Sequence, residues 1–221
     1  MLGSKLLMAA AGFVQPAAIR TYIGSTVSTA DATVYTFSSH ALGDAAADRK
    51  IVIGVIHGNA AQTVSTLTVG GSSATAIENV NNSGSGCAMY YIDLTTGTTA
   101  DIVVTLTGLQ SRCGISVYNV NGAATGAPND SGNNGSDPLS VTGDLPANGC
   151  IIGYATSNRI ITPGWATWSG ITEDVDAQAE SSTYYSAASD DFTAADATKT
   201  VECQSNRAGA DEAMIAAYFG P

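Results

Sequence analysis

Histidine and positive charge are what this sequence has least of. His40 and His57 are its only histidines, and 8 Lys and Arg stand against 19 Asp and Glu, a formal charge of −11. General acid–base chemistry most often recruits histidine, so a Ser/His/Asp arrangement has little to work with. G-x-S-x-G, G-x-x-x-x-G-K-[ST] and H-E-x-x-H are also missing. The shortage of Lys and Arg excludes a second class. Binding DNA or RNA needs a basic stripe that displaces counterions from phosphates, and a pI near 4.2 offers the reverse. No apolar run reaches the roughly 20 residues that cross a bilayer, so membrane insertion is not expected. The four cysteines, Cys87, Cys113, Cys150 and Cys203, show no C-x-x-C spacing, which argues against a zinc or redox pair. Two disulfides would be available to them in an oxidising compartment, but their apolar, strand-like surroundings favour buried thiols.

What is present is strand chemistry. With 24 Gly, abundant Thr, Ser and Ala, and 12% charged residues, short apolar or alternating runs recur between turn residues, while helical periodicity is almost absent after residue 15. Such runs occupy 32–39, 50–58, 63–70, 73–80, 87–94, 101–108 and 113–120, then 138–142, 149–157, 166–174, 183–189, 198–205 and 212–220. Gly70-Gly71-Ser72 suggests a hairpin and NNSGSG at 81–86 a loop. The pattern predicts an all-β, antiparallel two-sheet β-sandwich, jelly-roll-like, with an N-terminal arm at 1–20 and a single sandwich domain at 21–221.

An internal echo suggests two pseudo-repeated halves about a hundred residues apart. GCIIGYATS parallels KIVIGVIHG, STYYSAAS parallels CAMYYIDL, TKTVECQS parallels DIVVTLTG, and MIAAYFG parallels GISVYNV. The Asn/Gly/Ser/Asp-rich stretch 121–138 then reads as the crossover between halves.

Few side chains suggest a site. Glu173, Asp174, Asp176, Asp190 and Asp191 could supply the carboxylate pair of a glycosidase, but no motif accompanies them, and acidic clusters are usually solvated. In NDSGNNGSDP, counting from Asp130 puts Gly132 and Val141 where an EF-hand places ligands, leaving only a non-EF calcium site at Asp130 and Asp137. No metal or other cofactor is therefore expected. Trp165, Trp168, Tyr184 and Tyr185 lie close enough in sequence to form a glycan-binding platform. Alternation along a strand would turn Trp165 away from Trp168 and Tyr184 away from Tyr185.

The opening MLGSKLLMAAAGFV has the basic, apolar and small-residue zones of a short signal peptide. It also suits an arm that stays on and packs Leu2, Leu6, Leu7, Met8, Phe13 and Val14 against a neighbouring copy, or folds back on its own domain. Burying each large apolar side chain would contribute about 1.5–3 kcal/mol before ordering is charged against it.

The start GSKLLMAAAG, the Thr/Ser/Gly-rich strands VSTLTVGGSSATAI and DIVVTLTGL, the ending EAMIAAYFGP and the shortage of catalytic residues together resemble small β-sandwich structural proteins of tailed-bacteriophage virions. These are proteins of the decoration, spike or tail-associated type, and the resemblance covers nearly the whole chain. It implies a non-enzymatic virion component, without cofactor, displayed on the particle surface as capsid decoration or as a tail, spike or fibre subunit. Its partners would be copies of itself in a homo-oligomer, other virion proteins and a host-surface glycan in host attachment. The competing expectation is a secreted carbohydrate-binding module or adhesin, in which the opening segment is a signal and the aromatic region the binding face.

Overall fold

The computed structural model describes residues 16–58, 61–82, 84–135, 138–158, 164–180, 182–206 and 212–221, and among these there is no helix. The first half of the chain forms β1 (Ile19–Ser28), β2 (Ala32–Ala41), β3 (Lys50–His57), β4 (Val64–Val69), β5 (Ser72–Ser73), β6 (Thr75–Asn82), β7 (Ser85–Asp93), β8 (Thr99–Gln110) and β9 (Cys113–Asn121). The second forms β10 (Asp130–Asn134), β11 (Leu139–Leu145), β12 (Cys150–Ser157), β13 (Ala166–Ser169), β14 (Thr172–Glu180), β15 (Thr183–Asp191), β16 (Asp196–Ser205) and β17 (Glu212–Phe219). Four antiparallel sheets result: β1-β9-β3-β7-β6 and β2-β8-β4-β5 in the first half, β10-β17-β12-β15-β14 and β11-β16-β13 in the second.

Strand for strand, the two halves have the same order, so the echo in the sequence is a duplicated fold. Counting β5 and β6 as one strand that changes sheet at Ala74, each half interleaves two Greek keys in the manner of a jelly roll. Each half is a two-sheet sandwich, and the body therefore contains two of them, beginning with β1 at Ile19. The side chains set the layer order. Ile51, Ile53 and Val55 of β3 join Tyr35, Leu67 and Val104 in the first sandwich's core. Ile151 and Ala155 of β12 join Val141, Val201 and Trp165 in the second. The opposite faces, with Val52 and Ile56 on one side and Ile152 and Tyr154 on the other, meet in a third core between the sandwiches. The two five-stranded sheets thus lie innermost, covered on both faces, which is why β3, β9, β12 and β17 are buried almost end to end. Outer strands such as β8 and β11 alternate buried with exposed or half-buried residues.

Facing parity fixes the correspondence within the repeat. Val52 matches Ile152 and Gly54 matches Tyr154, one residue away from the alignment that superposes Gly54 on Gly153. Gly54 and Tyr154 also touch across the seam: a Cβ on Gly54 would lie 2.7 Å from the Tyr154 ring. Two equivalent positions in contact mark a pseudo-twofold axis. Because β1 packs near β14 and β15 while β10 packs near β6, that axis runs along the strands. The β3–β4, β6–β7 and β8–β9 connections therefore share one end, here the crown, with their counterparts in the second half. At the crown Arg112 Nη1 donates to Glu180 O (3.0 Å) and Thr183 Oγ1 (2.5 Å), tying the halves together. At the other end, the base, Ala18 is buried and its N–H donates to Asn148 O (2.8 Å). Gly122, at φ +76°, lies so near that a side chain there would strike Ala17 O.

The duplication repeats one device at the base. Asp93 ends β7 and Asp191 ends β15, and each carboxylate accepts the backbone N–H of the segment leading into the other sandwich, from Gly126 (3.0 Å) and Arg20 (3.1 Å) respectively. Their cationic partners differ. Asp93 pairs with the Lys50 ammonium, which is 1% exposed, donates to Gly126 O (2.7 Å) and lies 4.6 Å from the Tyr91 ring centre. Asp191 pairs with the half-buried Arg20. Asp93→Ala leaves a buried ammonium short of its counter-charge and is expected to cost about 2–3 kcal/mol, whereas Asp191→Ala should cost about 1 kcal/mol or less. Denaturant titration of the two variants measures the difference, and equal losses would contradict it.

Candidate functional site

The seam opens on two flanks, and the pseudo-axis makes them counterparts. On the first flank β14 carries a bulge between Glu173 and Val175, opposite Ala188 and Ala187, and the bulge pushes Asp174 into the seam. Asp174 Oδ2 accepts from Tyr118 Oη (2.9 Å) and Ser189 Oγ (2.5 Å). Tyr22 Oη and Ser25 Oγ are 2.6 Å apart, as are Ser25 Oγ and Ser116 Oγ. Arg20 closes the rim, donating to Ser189 O (3.1 Å) and Asp190 Oδ1 (3.3 Å). Burial, then the Asp174 charge, pushes the Tyr118 hydroxyl well above its ordinary 10, so it remains a donor. Burial also raises Asp174 above 3.8, outweighing the hydrogen bonds and the Arg20 charge that pull it down. A locked phenol donating to a partnered carboxylate is a strap between sandwiches.

The second flank is built from equivalent backbone and different side chains. β6 has the matching bulge, between Ala76 and Glu78, but its extra residue is Ile77 where β14 has Asp174. Register then aligns Tyr91 with Ser189, Asn129 with Arg20 and Ser131 with Tyr22. These shorter or apolar groups leave a pocket of about 270 Å³, walled by Ile77, Tyr91 and Pro128 and rimmed by Thr75, Asp130 and Ser131. Charge at the rim is already committed. Asp130 accepts from the N–H groups of Ser131 (2.8 Å) and Asp144 (2.8 Å), and Glu78 accepts from Ser131 Oγ (3.1 Å) and Asn133 Nδ2 (2.8 Å).

The residues singled out in the sequence are distributed as follows. Leu2, Leu6, Leu7, Met8, Phe13 and Val14 lie outside the described residues. Trp165 is 0% exposed, Tyr184 5% and Tyr185 6%, and Trp168 is half-buried with Nε1 donating to Ser186 Oγ (2.7 Å), so the four present no open platform. Tyr184 and Tyr185 diverge into different cores as alternation requires, but Trp165 precedes β13 and joins Trp168 in the second sandwich's core. Asp190 and Asp191 pair with Arg20, Asp174 faces the seam, and Asp176 faces the other way, its Oδ2 accepting from Ala166 N (3.3 Å). Burial raises the carboxyls of both Asp176 and Glu173. His57 is buried at the crown end of β3, and His40 sits on the outer strand β2 with Nδ1 2.9 Å from Ala41 O. Asp130 opens a strand, β10, inside the stretch read as crossover, while Asp137 lies outside the described residues. Among the described residues no group of three His, Cys, Asp or Glu is placed to hold a metal. The four cysteines are buried, unpaired thiols shared among the three cores, and burial raises each above its ordinary pKa, away from the reactive thiolate.

Sequence reasoning missed Arg20, Lys50, Tyr91 and Asp93. One signal was present: both Tyr-Tyr runs end on aspartate, in YYID and YYSAASDD.

Because its folded pKa is raised, Asp174 destabilises the fold when charged. That penalty is absent below 3.8 and grows as pH rises through the raised value. Asp174→Asn keeps an acceptor for Tyr118 and Ser189, so its melting temperature at pH 7 should equal or exceed that of the unaltered chain, with the gap closing in acid. A lower melting temperature at pH 7, followed by circular dichroism, would contradict this. No family model matches the chain, and no curated protein matches it.

Proposed function

We propose that the chain is a non-enzymatic structural protein of a tailed-phage virion, assembled through its N-terminal arm and displayed on the particle surface. The observation that carries this reading is the polarity of the body. Ala18, which continues the arm, is buried and bonded at the base, whereas the β3–β4, β6–β7 and β8–β9 connections and their counterparts in the second half lie at the opposite end, the crown. A subunit held at one end and presenting loops at the other suits display in many copies. The charge distribution agrees: residues 122–221 carry 13 Asp and Glu against 3 Lys and Arg, and residues 16–121 carry 6 against 4. Such a surface stays soluble when crowded. The carbohydrate-binding alternative has three of its four aromatic residues in cores.

Removing residues 1–15 tests the reading. Light scattering after size-exclusion chromatography should show the oligomer falling to monomer, while the body's melting temperature moves by no more than about 2 °C. Unchanged assembly together with a weakened monomer would overturn it.

A further inference from the structure

We propose that the open flank of the seam is the acceptor for the N-terminal arm of a second copy, whose Phe13 and neighbouring apolar side chains fill the pocket over Ile77, Tyr91 and Pro128. This rests on the arm-mediated assembly proposed above and names the surface that receives the arm.

The first argument is the broken symmetry. A duplicated fold places the same backbone on both flanks, and on one of them Arg20, Asp174 and Ser189 fill the space with hydrogen-bonded side chains. On the other, Asn129, Ile77 and Tyr91 stand in the equivalent positions and leave about 270 Å³ open. Three apolar walls and a rim whose carboxylates already accept hydrogen bonds suit an apolar side chain better than an ion.

Position is the second argument. The pocket lies at the base, where β6 and β10 begin and β7 ends, the same end from which Pro16 leads away. Donor and acceptor are on opposite flanks, however, since β1 borders the filled flank and β6 the open one. A patch on one side that fits a different patch on the other is a heterologous, head-to-tail contact, which closes into a ring when the rotation allows. Fifteen residues span at most about 50 Å. A five-stranded sheet is only about 20 Å wide, so the arm is long enough to leave its own body.

Composition is the third. Residues 1–15 contain Lys5 and no Asp or Glu, against a net −12 for the remainder. The acceptor flank carries Glu78 and Asp130, so Lys5 meets charge of the opposite sign along the approach.

The test uses the full chain. Ala127 and Ala76 line the pocket and are exposed, so Ala127→Trp and Ala76→Phe each fill it from the rim without entering a core. Each variant should weaken self-association by at least about tenfold in sedimentation equilibrium, with the melting temperature of the dilute monomer unchanged. A photo-crosslinking residue in place of Phe13 should give adducts on peptides containing Ile77 or Tyr91. In a mixture of isotopically heavy and light chains, those adducts should join heavy to light. If removing residues 1–15 dissociates the oligomer but both filling variants assemble normally, the pocket assignment is overturned and the arm reading stands. If neither change affects assembly, both fail. Adducts confined to a single chain overturn the exchange between copies.

Discussion

Both inner sheets have to be dry on two faces, and most of this architecture follows from that requirement. A sheet in the middle of a stack cannot alternate polar with apolar side chains, so its central strands are buried almost throughout, and any polar atom among them needs a partner. The seam meets this at several places. Tyr118 and Ser189 supply two donors to one carboxylate, Lys50 finds a counter-charge and a carbonyl, and Gly54 omits its side chain where the Tyr154 ring must sit. The outer sheets are free of the constraint and show ordinary alternation. The aromatic residues clustered late in the sequence are drawn inward for the same reason: a stacked pair of sandwiches has three cores to fill.

The strands that the sequence discloses are those stabilised by their own side chains. KIVIGVIH and CIIGYATS are continuous apolar runs, and their recurrence with the same neighbours anticipates two halves with one strand order. β10 escapes notice because DSGNN has no apolar residue and exists as a strand only by pairing with β17. β1 escapes because the irregularity between Tyr22 and Gly24 breaks its period and its residues are half-buried at most. The run at 166–174 is really the whole of one short strand, β13, and the start of another, β14, turned at Gly170 with φ +87°. The flanks are less legible still. Arg20 meets Asp190 across 170 residues, and no local pattern announces such a pair. That Ile77 and Asp174 are counterparts becomes visible only once both bulges are seen to oppose matching residues.

Duplication gave the molecule two of everything, and the differences between copies are more informative than the similarities. The same terminal aspartate clamps the opposite sandwich in both halves, but one clamp holds a buried lysine and the other a half-exposed arginine. One flank is strapped shut and its counterpart is open. The excess of acidic residues falls almost entirely on the second half, so two bodies approaching through those faces would repel, and contact through the nearly neutral half or through the arm is favoured.

The position of β17 has a consequence for how the chain is made. It lies between β10 and β12, and its seam face supplies Ile215, Ala217 and Phe219 to the shared core, yet it is synthesised after every strand it touches. While it is awaited, the first sandwich can already be complete except that one broad greasy face of its inner sheet looks onto water. A nascent chain in that state is at its stickiest until β17 emerges and docks, and neighbouring ribosomes on the same message would hold such faces close together. The face left open in the interval is that of Val52, Met89 and Val120, which the second half later covers.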